Sequence, residues 1–428
     1  MKRIITYCLS AILLACAAVI ATLYWMGTRE AAPVTVQAAP AETGRMVEQG
    51  RYLARLGNCM ACHTAQGGQA YAGGTAIPTP FGTLYGPNIT PDRQTGIGDW
   101  DADDFWRALH DGKSKDGSLL YPAFPYTEYT RISRADSDAL FAYLRTVAPV
   151  SQPSRPHELA FPYNQRSLLA FWRALYFRPG VQEADLGESV PWNRGRYLVE
   201  GLGHCAACHA PRNRLGATRV ADGLAGGLIA GLDWYAPPLG NEPGTGLGNW
   251  SAQDIAMLLQ TGMARHSTAS GPMAEVVLSS SQYLSDDDAL AVGMYLKSLP
   301  PTPAAGPARG PEPQAALMDL GGRLYQQHCA QCHQDQGQGS GSAWPALAGN
   351  PTVTASSPVN TIRMVLDGGF APATAANPRP HGMPPFGPIL ADNDIAALVS
   401  YIRSSWGNQA GGVTPFEVKR VRDASTLN

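Results

Sequence analysis

The hydrophobic pattern opens on an uncharged stretch from Ile4 to Thr28, preceded by Lys2-Arg3. That stretch exceeds the ~7–15-residue core of a cleaved signal peptide and reaches the ~20 residues needed to cross a bilayer. The positive-inside rule keeps the basic end in the cytoplasm and exports everything after Arg29, with Tyr24 and Trp25 at the outer interface. An uncleaved anchor over residues 1–30 is the favoured reading. Cleavage near Ala38 to Ala41 and lipidation at Cys16 stand as alternatives, the second weakened because the apolar run continues past Cys16.

Beyond residue 42 the pattern becomes helical and repeats three times. The openings are Gly50-Arg51-Tyr52-Leu53, Gly195-Arg196-Tyr197-Leu198 and Gly322-Arg323-Leu324-Tyr325. The closings are Tyr143-Leu144-Arg145-Thr146, Tyr295-Leu296-Lys297-Ser298 and Tyr401-Ile402-Arg403-Ser404. Leu140, Tyr143 and Leu144 show i, i+3, i+4 spacing, as do Val292, Tyr295 and Leu296, and Leu398, Tyr401 and Ile402. Asp138, Asp288 and Asp394 stand near the positive end of each closing helix, and a cation falls in its last turn. Between these ends, Gly96-Ile97-Gly98-Asp99-Trp100 matches Gly246-Leu247-Gly248-Asn249-Trp250, each a Gly-rich turn before a capped helix. Those helices should end at Gly112 and Gly262, with a third counterpart from Val359 to Gly368.

The repeats divide the chain into modules at 42–160, 188–300 and 316–406, with a tail at 407–428. Residues 301–315 form a Pro/Ala/Gly spacer. The connector at 161–187 carries Leu168, Phe171, Trp172 and Leu175 on one helical face, with Arg166 and Arg173 on another. Packing between modules one and two is its expected role; a basic amphipathic helix on a membrane surface is the alternative.

Composition adds bounds. A chain of 428 residues suits about three domains at ~100–200 residues each. The net charge of −2 provides no basic footprint, so no nucleic-acid partner is expected. Six of the 8 cysteines occur in Cys-x-x-Cys-His, at Cys59, Cys62 and His63, at Cys205, Cys208 and His209, and at Cys329, Cys332 and His333. This is the pattern of c-type haem attachment. Two thiols one helical turn apart can add to the vinyl groups of one porphyrin, and the adjoining imidazole can bind its iron. A redox dithiol does not require that histidine, and a zinc site needs ligands that converge. Three haem c groups are therefore expected, in a compartment outside the bacterial cytoplasm.

A sixth iron ligand must come from elsewhere, and methionine in that place raises the potential. Met273 in Gly271-Pro272-Met273 and Met383 in Gly382-Met383-Pro384 precede their closing helices and are assigned as ligands. Met257, Met263, Met294 and Met364 are expected to fill cores. The first module has Tyr121-Pro122-Ala123-Phe124-Pro125-Tyr126 at the matching place, and no methionine between Met60 and Met257. Its sixth position is left open. His110, at a helix end, reads as a solvated side chain, and His157 is the other substitute.

The triple motif, the N-terminal apolar segment and the phrases PTPFGTLYGPNITPD, FPYNQRSLLAFWRALYFRPG, GPMAEVV and MPPF together resemble a known family from about Arg45 to Trp406. It is the membrane-bound triheme cytochrome c subunit of bacterial periplasmic dehydrogenases. The resemblance implies an all-α fold of three tandem cytochrome c domains preceded by one N-terminal transmembrane helix. It implies electron transfer from a dehydrogenase catalytic subunit of PQQ, flavin or molybdenum type to ubiquinone or a terminal-oxidase carrier, at the inner membrane and facing the periplasm. The family's usual YPAMPY has its methionine on the first haem, and Phe124 stands there instead. No Gly-rich nucleotide turn or nucleophile-base constellation is visible, so no catalytic residue is assigned. The rival is a self-contained, peroxidase-like haem enzyme using an open first iron.

Overall fold

The computed structural model describes residues 2–30, 43–229, 231–265, 267–302, 312–341 and 344–425. The cleavage segment at Ala38 to Ala41 and most of the Pro-rich spacer lie outside them. The chain forms two compact units, residues 1–54 with 59–183, and residues 184–428 with 55–58. The first contains the longer helices α1 (Lys2–Thr28), α2 (Thr43–Leu56), α3 (Ala102–Asp111), α4 (Arg134–Leu144) and α5 (Leu169–Tyr176). The second contains α6 (Val190–Tyr197), α7 (Ala252–Thr261), α8 (Pro272–Ser279), α9 (Asp286–Ser298), α10 (Ala315–His328), α11 (Val359–Asp367), α12 (Asp392–Ser404) and α13 (Pro415–Ser425). Short antiparallel hairpins supplement the helices.

One crossing is built three times. A Cβ on Gly50 of α2 would lie 1.8 Å from the Ala139 carbonyl oxygen of α4. On Gly195 of α6 it would lie 2.0 Å from that of Ala291 in α9, and on Gly321 of α10 2.2 Å from that of Ala397 in α12. Only glycine allows backbones this close. The third crossing thus uses Gly321, one residue before the Gly322 that the pattern aligned. The crossing glycine precedes the first cysteine by nine, ten and eight positions in turn. A π-helical turn at Leu198–Leu202 takes up the longest lead-in.

The middle helices end as expected. Asp101 with Asp104 and Ser251 with Asp254 form capping boxes, and Gly112 (φ 60°) and Gly262 (φ 78°) close the C-termini in the left-handed region. Gly368 (φ 66°) follows α11. The cation at each closing helix does more than oppose a dipole. Arg145 donates to the Gly98 carbonyl at 2.6 Å, and Lys297 to those of Leu247 at 2.7 Å and Gly248 at 3.2 Å, so each ties its helix to the Gly-rich turn. Arg403 is instead fully buried and donates to Val353, Ala355 and Ala410. In the second unit, Asp288 of α9 accepts two bonds from Arg194 of α6, at 2.8 and 2.7 Å.

The connector differs from expectation. Ala170, Arg173, Ala174 and Phe177 form its buried stripe, so Arg173 faces inward. Its neighbour is the last turn of α1: Tyr24 packs on Phe171, and a Cβ on Gly27 would lie 1.7 Å from the Ala170 carbonyl oxygen. Arg173 donates to the Gly27 carbonyl at 2.7 Å and to that of Asp111, while its guanidinium lies over Tyr126 and Phe177. A cation is favoured where a helix leaves its carbonyls unmet.

Candidate haem sites

Each Cys-x-x-Cys-His forms one short helical turn: Cys59–His63, Ala206–His209 after Cys205, and Ala330–His333 after Cys329. The two thiols of a motif therefore share a side. Burial, reinforced by the neighbouring Cys62, pushes the Cys59 thiol up to about 12; Cys205 beside Cys208 and Cys329 beside Cys332 are pushed up to about 12 in the same way. Such thiols are poor matches to a redox dithiol, which needs a stabilised thiolate. The zinc reading finds no support either, since no group of three His, Cys, Asp or Glu among the described residues converges to hold a metal ion.

The histidines share a device that the sequence pattern did not reveal. Nδ1 of His63 lies 2.7 Å from the Pro87 carbonyl oxygen, that of His209 2.7 Å from Pro237, and that of His333 2.9 Å from Pro345. A carbonyl can only accept, so Nδ1 carries the proton and the Nε2 lone pair is free for a metal. Burial lowers the pKa of all three imidazoles, with the proline carbonyl opposing, which favours the neutral ligand form. Hairpins deliver the prolines: Ala76–Thr79 with Gly82–Tyr85 leads to Pro87, Gly227–Ile229 with Trp234–Ala236 to Pro237, and a bridge between Ser340 and Trp344 to Pro345. The proline follows its histidine by 24, 28 and 12 positions, and that uneven spacing conceals it.

The third module brings its predicted residues together most directly. Cys329, Cys332, His333 and Met383 line one cavity of about 290 Å3, with Val365 and Phe386 among its apolar walls. Two thiols, an imidazole and a thioether around an apolar space fit the donor set of a haem c. Met383 is positioned by the pairing of Gly382–Met383 with Gly369–Phe370. Met364 and Met263 line the same cavity, and Met263 sulfur accepts from Asn377 Nδ2 at 3.5 Å. Met257 and Met294, expected in cores, are instead 43% and 36% exposed on helix surfaces.

In the second module Met273 is the second residue of α8, half-buried. Gly271 before it (φ 52°) approaches the Trp234 ring so closely that a Cβ would lie 2.7 Å away. Trp234 begins the strand that runs to Pro237, so the Met273 segment and the partner of His209 flank one strand. In the first module Phe124 packs on Tyr129 with ring centroids 5.5 Å apart. Tyr129 is buried, and desolvation, with Cys59 and Cys62 nearby, raises its pKa well above the usual range. Phe124 thus packs on a ring that senses the first motif. His110 is not solvated: it is buried, stacked on Trp106 at 4.4 Å, with Nδ1 2.9 Å from the Thr130 carbonyl oxygen. Nδ1 of His157 accepts from Tyr85 N–H at 3.2 Å.

Helical crossings that present Cys-x-x-Cys-His to an apolar pocket define a c-type cytochrome, and the cytochrome c family model matches residues 47–148 and 318–406. The chain is 41% identical over 403 residues to the cytochrome c subunit of alcohol dehydrogenase (quinone) from Gluconacetobacter polyoxogenes, covering 90% of this chain and 86% of that one. It is 40% identical over 409 residues to the gluconate 2-dehydrogenase cytochrome c subunit of Pantoea cypripedii, covering 89% and 90%. To the fructose dehydrogenase cytochrome subunit of Gluconobacter japonicus it is 38% identical over 441 residues, covering 96% and 89%. The chain belongs to the family of cytochrome c subunits of bacterial dehydrogenases, and it is a haem c protein.

Proposed function

We propose that this chain transfers electrons through three covalently bound haems, from the catalytic subunit of a dehydrogenase to ubiquinone or another respiratory carrier. The observation that carries the reading is the threefold device of a Cys-x-x-Cys-His turn whose histidine donates to a proline carbonyl. Each haem, when bound, supplies a one-electron couple. The protein's part is to hold and tune. Cys59 and Cys62, Cys205 and Cys208, and Cys329 and Cys332 make the thioether links, and His63, His209 and His333 bind iron through Nε2. Their Nδ1 bonds fix ring orientation and raise ligand basicity. Met273 and Met383 would supply the sixth ligands of the second and third haems, and Phe124 would deny one to the first. In this reading the three modules occupy residues 42–160, 188–300 and 316–406.

Oxidation of the organic substrate falls to the partner subunit, of PQQ, flavin or molybdenum type. The relatives' naming as dehydrogenase cytochrome subunits favours this over a self-contained peroxidase-like enzyme. The reading of its location rests on α1, which is long and apolar enough to cross a membrane. A cleaved signal would not be built into the exported fold. Here the buried Arg173 binds the Gly27 carbonyl, and the buried Lys113 binds the Thr28 carbonyl at 2.6 Å and Glu30 at 3.1 Å. Those contacts support an uncleaved anchor in the inner membrane with the haem modules in the periplasm.

The test is stoichiometry. Denatured, purified protein should retain three haems by pyridine haemochrome assay and mass spectrometry. Cys205→Ala/Cys208→Ala should retain two, and a variant still carrying three would refute the assignment.

A further inference from the structure

α5 carries apolar side chains on both sides, with Arg173 the one cation, on the packed side. Its inner stripe is packed, while the opposite stripe carries Leu168, 45% exposed, Leu175, 54%, and Tyr176, 37%, with half-buried Trp172 between them. Residues 168, 172, 175 and 176 follow i, i+4, i+7, i+8 spacing, which is one helical face. Just upstream, Phe161 is 80% and Tyr163 41% exposed. An extended apolar helix face is covered by a core or by a membrane, and among the described residues no core lies against this one.

The occupant is indicated by what holds the other side. Residues Arg3 to Thr22 of α1 are exposed throughout, and burial begins in its last turns, where Gly27 meets Ala170 and Tyr24 meets Phe171. Those turns are where a spanning α1 leaves the bilayer. The tight Gly27 contact and the Arg173 bond to the Gly27 carbonyl therefore fix α5 at that depth. Tyr and Trp are the side chains that favour the boundary between headgroups and acyl chains, and an amphipathic helix buries its apolar face ~5–10 Å into it. We infer that the Leu168/Trp172/Leu175/Tyr176 face of α5 lies in the outer lipid interface, as a second membrane contact rigidly coupled to the anchor. The inference rests on α1 being an uncleaved anchor.

The test uses the full-length haem-loaded chain with Cys8→Ser and Cys16→Ser, reconstituted alone in liposomes of phosphatidylethanolamine and phosphatidylglycerol. An environment-sensitive fluorophore is placed at Leu175→Cys, at Leu168→Cys in a second variant, and at Leu186→Cys, which is 98% exposed, as the aqueous reference. Labels at 175 and 168 should lose iodide quenching relative to 186 and be quenched by lipids bearing a doxyl group high on the acyl chain. Iodide quenching equal to that at 186 overturns the inference. So does shielding from iodide without doxyl quenching, which would mean that protein covers the face. Alkaline carbonate washing of the same membranes reports on α1 separately, because release by carbonate refutes the anchor itself.

Discussion

Arg403 offers the sharpest test of how these modules are held together. It is 2% exposed and donates to three backbone carbonyls, at 2.6 Å to Val353, 3.1 Å to Ala355 and 2.8 Å to Ala410. Burial lowers its pKa to about 10, with Glu417 opposing, so it remains a cation at neutral pH. Arg403→Met keeps the apolar stem but leaves three buried acceptors unmet. At ~1–3 kcal/mol for each, less what is regained by no longer burying a charge, the net loss should be about 3–4 kcal/mol. The equivalent Arg145 is exposed and makes one such bond, so Arg145→Met should cost only about 0.5–1 kcal/mol. Lys297→Met should fall between. Native-state hydrogen exchange read by mass spectrometry resolves the three closing helices separately. Exchange in α12 should accelerate by roughly a hundred- to several-hundredfold for Arg403→Met, whereas α4 should change by less than about tenfold for Arg145→Met. Equal effects at the two positions would refute the argument that burial and acceptor number set the cost.

Other outcomes follow from single contacts. Phe124→Met should give the first haem a methionine-to-iron absorption band and raise its midpoint in a redox titration; an unmodified protein that already shows three such bands would sink this assignment. His110 is kept neutral by burial, below its ordinary 6.5, against the pull of Asp111 and the Thr130 carbonyl. The unfolded chain then takes up a proton that the fold resists, so stability is full above about pH 6.5 and drains below it. His110→Phe should flatten that acid limb in denaturant melts of the first unit at pH 5 to 7. Gly195→Ala would place a methyl 2.0 Å from the Ala291 carbonyl and should destabilise the α6–α9 crossing by about 1–3 kcal/mol or more, seen as faster exchange in α9.

The legible parts of this chain were those encoded locally. The motifs, the middle-helix caps and the glycine stops at Gly112 and Gly262 each depend on a few adjacent residues, and the structure has them where the pattern places them. What escaped was set by contacts distant in sequence. The proline carbonyls that orient the histidines sit at three different separations because the loops between each histidine and its hairpin or bridge differ in length, so no repeat signal marks them. Helical-wheel reasoning placed Arg173 with Arg166 on a face apart from the apolar one and could not see that the end of α1 supplies it a buried carbonyl acceptor. His110 read as solvated although Trp106, one turn earlier in α3, stacks on it; the Thr130 carbonyl that takes its Nδ1 lies twenty positions on, beyond the local pattern. The third crossing slipped by one residue because Gly321 and Gly322 are equivalent to a motif and differ only in which faces the α12 backbone.

The repeated and the divergent features then divide the labour on the proposed reading. Cys-x-x-Cys-His and the proline carbonyl recur in every module, so attachment and proximal orientation are uniform. The opposite side is where the modules differ, with Met383 in a shared cavity, Met273 beside Trp234, and Phe124 packed on Tyr129. A phenyl ring has no lone pair for iron, and loss of a thioether lowers a haem potential. At ~59 mV per tenfold in a one-electron equilibrium, even a modest offset biases where electrons rest. On that reading the module expected to have the lower potential is also the one whose Asp111 carbonyl and Lys113 side chain are tied to Arg173 and to the end of α1. That combination suits the first haem to hand electrons to a membrane-dissolved acceptor rather than to store them.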